Sequence, residues 1–173
     1  SRGLGDVYKR QTDDEELFKV IVAKGRCSKS IFAHAVAHKG ADGDNYAAQK
    51  LAEDIRWLGY SAITLKSDNE RAILRVLQQT MVECRIAAKE SDEEVGADLE
   101  VIQRDEPPPY DKKANGEVES AIRVFTGHYR TLKLCLEARL GKFVPIDHAV
   151  VPWLLEHAAL LLNVKTRGLD GLT

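Results

Sequence analysis

The stretch Ala62 to Glu70, AITLKSDNE, limits the fold more than any other part of this 173-residue chain. Ile63 and Leu65 are apolar and Thr64 is β-branched, which suits a pleated strand. Ser67, Asp68 and Asn69 then stop the strand, and Asn69 is placed to cap a helix. Helical periodicity stands on both sides of it. Ala47, Ala48, Leu51, Ile55 and Leu58 mark a helix over 45–58 that Gly59 closes. Ile73, Leu74, Leu77 and Met81 mark another over 70–84. A strand between two amphipathic helices calls for layers of helix packed on sheet. A carboxylate just past the C-terminal end of such a strand lies toward the crevice where open α/β sheets hold ligands. Asp68 therefore reads in two ways, as a metal ligand or as a turn residue and cap.

The remaining elements come from the same rules. Residues 17–23 (LFKVIVA) and 30–37 (SIFAHAVA) read as two strands joined through Gly25 into an antiparallel hairpin. His34 and His38 stand four apart, which would suit a metal pair on a helix but not on a strand. Asp44 can cap the 45–58 helix, and Trp57 is expected at the rim of the core. Residues 99–103 (LEVIQ) make a short strand, and the run DEPPPYDKKA over 105–114 cannot be regular, because prolines fix φ and remove donors. A long helix is predicted over 117–140, with Val118, Ile122, Phe125, Tyr129, Leu132, Leu136 and Leu140 as its apolar stripe. A final helix over 148–163 is rich in Leu and Ala. The order is β-β-α-β-α-β-α-α, an α/β fold with a mixed central sheet flanked by helices. No internal repeat appears.

Composition decides only a few points. The formal net charge is −2, so any nucleic-acid surface has to be a local patch rather than a global basic field. The three cysteines, Cys27, Cys84 and Cys135, show no zinc spacing and read as reduced thiols. No apolar run reaches the length of a membrane span and no signal-peptide pattern is present, so no membrane partner is expected. Residues 1–11, SRGLGDVYKRQ, lack any period and resemble translated adapter sequence. They are set apart as a non-native leader, with one domain expected over 12–173, truncated at both ends.

A second carboxylate stands at the start of the long helix. In Asn115-Gly116-Glu117-Val118-Glu119, Val118 belongs to the apolar stripe and Glu119 lies about 100° from it. Arg123 comes one turn later on the same side. An acid after a strand and an acid on a later helix are what a two-metal phosphoryl-transfer site requires. Mg²⁺ takes oxygen ligands, and two ions about 3.5–4 Å apart can serve both the attacking and the leaving oxygen.

Lys66-Ser67-Asp68-Asn69 and Asn115-Gly116-Glu117-Val118-Glu119 together resemble the second and third acidic motifs of the retroviral and retrotransposon integrase core. Trp153-Leu154-Leu155-Glu156-His157-Ala158-Ala159 resembles the next helix of retrotransposon integrases, and the end Asp170-Gly171-Leu172-Thr173 resembles the stretch beyond that helix. The resemblance spans roughly residues 17–173. It implies a ribonuclease H-like fold and a three-carboxylate site in which Asp68 is the second acid and Glu119 the third. It implies Mg²⁺ or Mn²⁺ as cofactor, DNA as partner, processing of DNA ends with strand transfer, self-association and a nuclear setting.

Three departures accompany the resemblance. The first acid belongs on a strand before residue 17, where the leader now stands; Asp6 falls there by coincidence, and Asp13 and Asp14 read as turn residues. Fifty residues separate Asp68 from Glu119, more than the family's usual interval. The zinc-binding and basic modules of full integrases are absent from this stretch. DNA contact is expected from Arg123 and Arg130 on the long helix and from Lys112 and Lys113 before it. His128, Lys133, Arg139 and Lys142 complete a basic patch, which also reads as a plain solvated face. A second functional reading is a catalytically inactive ribonuclease H-like domain that only binds nucleic acid or protein.

Overall fold

A computed structural model describes residues 19–37, 45–67, 70–90, 101–105 and 116–166. Its elements are β1 (Lys19–Lys24), β2 (Ile31–Val36), α1 (Tyr46–Leu58), β3 (Ala62–Lys66), α2 (Arg71–Glu90), β4 (Val101–Asp105), α3 (Gly116–Leu140) and α4 (Val150–Lys165). The order is the one predicted from periodicity. The strand and α4 boundaries move by one to three residues. The larger change is α2, which continues past Cys84 to Glu90 through a stretch that includes Ala87 and Ala88, the best helix formers. Asp44, His38 and Asn69 lie outside the described residues. Asn45, in a left-handed conformation and without a side-chain cap bond, is the residue at the start of α1.

One expectation is corrected. Among the described residues there is no single mixed sheet but two ladders: β1 with β2, antiparallel, and β3 with β4, parallel. Strands join only where their backbone rows approach to about 4.8 Å, and β1 and β3 each have one such neighbour among the described residues. Both ladders nevertheless share one set of covering helices. Ile21 and Ala23 of β1 and Leu65 of β3 pack on the cluster of Val36, Ala47, Leu51, Val76 and Leu77. Leu65 and Ile63 also pack on Ala52, Ile55, Cys84 and Ile102.

The hairpin separates two layers by the period-two alternation of a strand. On β1, Ile21 and Ala23 turn to α1 and α2 while Val22 turns to α3 and α4. On β2, Ile31 and Ala33 enter the second layer with Ala121, Phe125, Val151, Leu155, Ala158 and Ala159. The buried stripe of α3 is therefore phased on Ala121 and Phe125. Ile122 is 43% exposed and Leu140 55% exposed, contrary to the predicted stripe. Alanines at 121, 158 and 159 let α3 and α4 approach closely, so the small residue rather than Ile122 faces the partner helix. Trp57 stays 60% exposed with its ring edge-on to Phe32.

The outer edge of β2 is closed by polar side chains. Asn163 of α4 accepts the Ile31 N–H at 2.7 Å and donates its own amide to the Ile31 carbonyl at 2.9 Å. It thus occupies both backbone groups that a further strand would use. Three residues along the strand, the buried His34 lies between Asp54 of α1 at 2.8 Å and Glu156 of α4 at 3.1 Å. One imidazole thereby connects strand, α1 and α4.

Candidate functional site

The parallel ladder sets the site. β3 and β4 pair from Ala62 with Val101 to Lys66 with Asp105, and α2 is the crossover between them. Parallel strands end on the same side, so the C-terminal ends of β3 and β4 are neighbours. The ligand crevice of open α/β sheets lies beyond such ends. Asp68 comes two positions after the end of β3. Asp68, Lys112 and Lys113 lie outside the described residues.

Glu119 sits in the first turn of α3, where the positive end of the helix dipole favours a carboxylate. Its side chain is exposed, and among the described residues no hydrogen bond or ion pair engages it. Arg123 and Arg130 stand four and eleven residues further on, which keeps all three within about 40° around the helix. Both arginines are exposed. Arg123 stands at the i,i+4 spacing from Glu119 that permits a pair, yet no such pair forms. This face of α3 therefore presents one acceptor-only carboxylate and two guanidinium groups to whatever approaches it.

Three other members of the expected basic patch do not join them. Lys133 is tied to Glu137 and lies over the Phe143 ring, 4.5 Å from its centroid. Lys133, together with the Val144 N–H, holds the Glu137 carboxyl below the usual range, which fastens the turn after α3. His128 is partly buried and its Nε2 is enclosed without a partner, so the ring does not serve an outward phosphate contact. Arg139 is exposed but lies about 160–180° around the helix from Arg123 and Arg130.

No family profile matches the chain, and no curated protein matches it. Among solved structures, the crystal structure of the catalytic core domain of BIV integrase aligns with it at 22% identity. The TM-score is 0.48, and the alignment covers 89% of this chain and 80% of that one.

As a ligand, Glu119 has the right chemistry for a hard cation, being an exposed carboxylate with free oxygens. It is one ligand only. Among the described residues no group of three or more His, Cys, Asp and Glu side chains could hold a metal ion. A cation at Glu119 would therefore need Asp68 and further oxygen donors. Also among the described residues, no helix is long and apolar enough to cross a membrane.

Two clusters escaped sequence reading. The first is His34 with Asp54 and Glu156. Burial opposes the imidazolium, but the two carboxylates outweigh it and raise the His34 pKa above 6.5. Burial is also the main influence on Asp54, and it raises that pKa. The partners lie 20 and 122 positions from His34, so no local pattern announces them. The second is the tip of the β1–β2 hairpin, where Arg26 Nε comes within 3.8 Å of Glu117 in the first turn of α3. The run of cations at 24, 26 and 29 is visible in the sequence; its proximity to α3 is not.

Proposed function

We propose that the chain is a ribonuclease H-like catalytic core of the integrase type, acting on DNA ends by metal-dependent hydrolysis and strand transfer. The observation that carries this reading is the parallel pairing of β3 with β4. It supports a shared crevice beyond the strand ends, with Asp68 two positions past β3 and Glu119 supplied by the helix that comes after β4. The two acidic motifs supply the residue types this chemistry needs.

In this reading Asp68 and Glu119 are the oxygen ligands of Mg²⁺ or Mn²⁺. When bound, such a cation would supply positive charge at the phosphoryl oxygens and make a hydroxyl a better nucleophile. Arg123 and Arg130 hold the phosphates of the DNA strand along α3 and fix its register, since phosphate contacts position rather than specify. Lys112 and Lys113 hold the strand from the loop side. The attacking oxygen of water or of a DNA 3′-hydroxyl forms a bond to phosphorus, and its proton passes to solvent water. The opposite P–O3′ bond breaks, and its electron pair leaves with the 3′ oxygen. Self-association accompanies this activity.

The test is Mg²⁺- or Mn²⁺-dependent end cleavage and strand transfer on a DNA-end oligonucleotide. Asp68→Asn and Glu119→Gln keep shape and remove charge. Each is expected to lower the rate by roughly 10²–10³, the scale of losing one group that stabilises the transition state. Full rate in either variant refutes the assignment. DNA binding without any metal-dependent turnover identifies the inactive binding domain instead.

A further inference from the structure

α4 is fastened to the outer edge of β2 at two places, and one of them can sense a proton. Asn163 holds the Ile31 backbone, and Glu156 holds the His34 ring. The seven-residue step along the helix is about 10.5 Å. The three-residue step along the strand is about 10 Å. The steps match with α4 running antiparallel to β2, so both contacts are made at once. The Asn163 carboxamide is neutral throughout the working pH range. The His34 ring is not.

His34 Nδ1 stands 3.1 Å from Glu156 and Nε2 2.8 Å from Asp54 of α1. A neutral imidazole has one N–H and one bare lone pair, and an ionised carboxylate only accepts. One neutral ring cannot donate to both acids, so the observed arrangement needs one further proton in the cluster. The electrostatics agree. Burial opposes the charged ring, but Asp54 and Glu156 outweigh it and raise the His34 pKa. Among the described residues these two acids are the charged groups that act on the ring. Lys50 and Glu53 of α1 act on Asp54, and Lys50 also lies in the field of Glu156. β1 and α2 meet this part of β2 with the apolar Ile21, Val76 and Leu77. His157, next to Glu156, is stacked on Trp153 instead.

The two arms of the cluster are unequal. The Asp54 side chain is 13% exposed and that of Glu156 is 45% exposed. Once the proton leaves for solvent, one N–H remains. It belongs on Nε2, because Asp54 is the acid that water serves less well, and an unpaired buried charge is the costlier state. Nδ1 then turns a lone pair toward the Glu156 carboxylate. Two acceptors cannot share a hydrogen bond, and Glu156 is free to turn to water and toward Lys50.

We propose that Asp54, His34 and Glu156 form a one-proton latch that ties α4 to β2 and α1 when the proton is bound, and that opens at Glu156 alone when it leaves. Asn163 holds the C-terminal half of α4 in both states. The latch closes at low pH and opens as pH rises through the raised His34 value. It is independent of the DNA chemistry proposed above.

The experiment is ¹⁵N and ¹³C NMR of the full chain from about pH 5.5 to 9, across the histidine range. The ring nitrogens report which of them bears a proton, and the Glu156 carboxyl carbon reports its contact. In the wild type Nδ1 should be protonated at low pH. Above the His34 midpoint it should be bare while Nε2 stays protonated, and the Glu156 carbon should shift at that same midpoint. The Asn163 amide signals should not move. Glu156→Gln removes the charge but leaves a carboxamide that can accept from Nδ1–H or donate to the bare nitrogen. His34 should then titrate at lower pH, with the arm closed on both sides of the midpoint. A wild-type ring that keeps Nδ1–H and bares Nε2 overturns the latch. So does a Glu156 carbon that ignores the His34 midpoint, or an unchanged midpoint in Glu156→Gln. The wild-type nitrogens decide the matter by themselves if the variant melts early.

Discussion

The β2 edge and the outward face of α3 use the same kinds of residue to opposite ends. At the β2 edge, His34, Asp54, Glu156 and Asn163 find one another or a backbone group. On α3, Glu119, Arg123 and Arg130 have no such partner among the described residues, although two of them stand at pairing distance along the helix. His34 and the Ile31 backbone are buried, and buried polar groups must be satisfied or they cost stability, so the first set is explained by the fold alone. The second set contributes nothing to the fold that water would not supply. Satisfaction, rather than charge or residue type, separates scaffold from candidate chemistry here.

That contrast can be broken in several places. The largest effect belongs to Glu119→Gln, with strand-transfer rate down roughly 10²–10³, about 3–4 kcal/mol of transition-state stabilisation. Its thermal midpoint should stay at the wild-type value, since exposed substitutions lie within about ±0.5 kcal/mol. A lowered midpoint would move Glu119 into the scaffold set. Asn163→Leu should do the reverse. It leaves the Ile31 N–H and carbonyl without partners at a cost of about 1–3 kcal/mol for each group that water cannot reach, visible in chemical denaturation, with DNA affinity retained. Unchanged stability would show that the amide bonds only decorate the edge.

A smaller effect comes from His34. Its folded pKa is raised above 6.5, so its stabilisation is complete below pH 6.5 and disappears as pH rises through the raised value. Melting monitored upward from pH 6, above the range where carboxylates titrate, should show a midpoint that falls in the wild type. The fall should be absent in His34→Gln, and an identical slope in both would remove His34 from the scaffold set. The smallest effect is at the hairpin tip. Gly25→Ala pushes Ser28 Oγ aside and should cost about 1 kcal/mol or less, with Ser28→Ala in the same chain restoring most of it. No recovery would place the cost in the backbone instead of the contact.

Much of the architecture is legible because periodicity is local. The hairpin, the β3–α2–β4 unit and the two long C-terminal helices each declare themselves within a dozen residues. The phase of α3 is not, because a stripe built on large apolar residues overlooks Ala121, which is chosen for close approach rather than for burial area. The pairing of β3 with β4 is also beyond reach, since a register across 39 positions leaves no local trace. At the candidate site, Glu119 in an exposed first turn is expected from its position beside Val118, and Arg123 and Arg130 from their spacing. Lys133 is not an outward cation because Glu137 and the Phe143 ring hold it, and nothing along the sequence marks the His128 ring as enclosed. The His34 clamp needs residues from three elements, which no pattern along the chain connects.

The Asn163 carboxamide has one further consequence. A naked β-strand is a template on which another chain can grow, and the hydrogen bonds it would offer at Ile31 are already taken. Recruitment of a stray extended peptide is therefore blocked at that position by a single side chain. Among the described residues, the far side of β1 is the other edge of this ladder, and it has no strand neighbour.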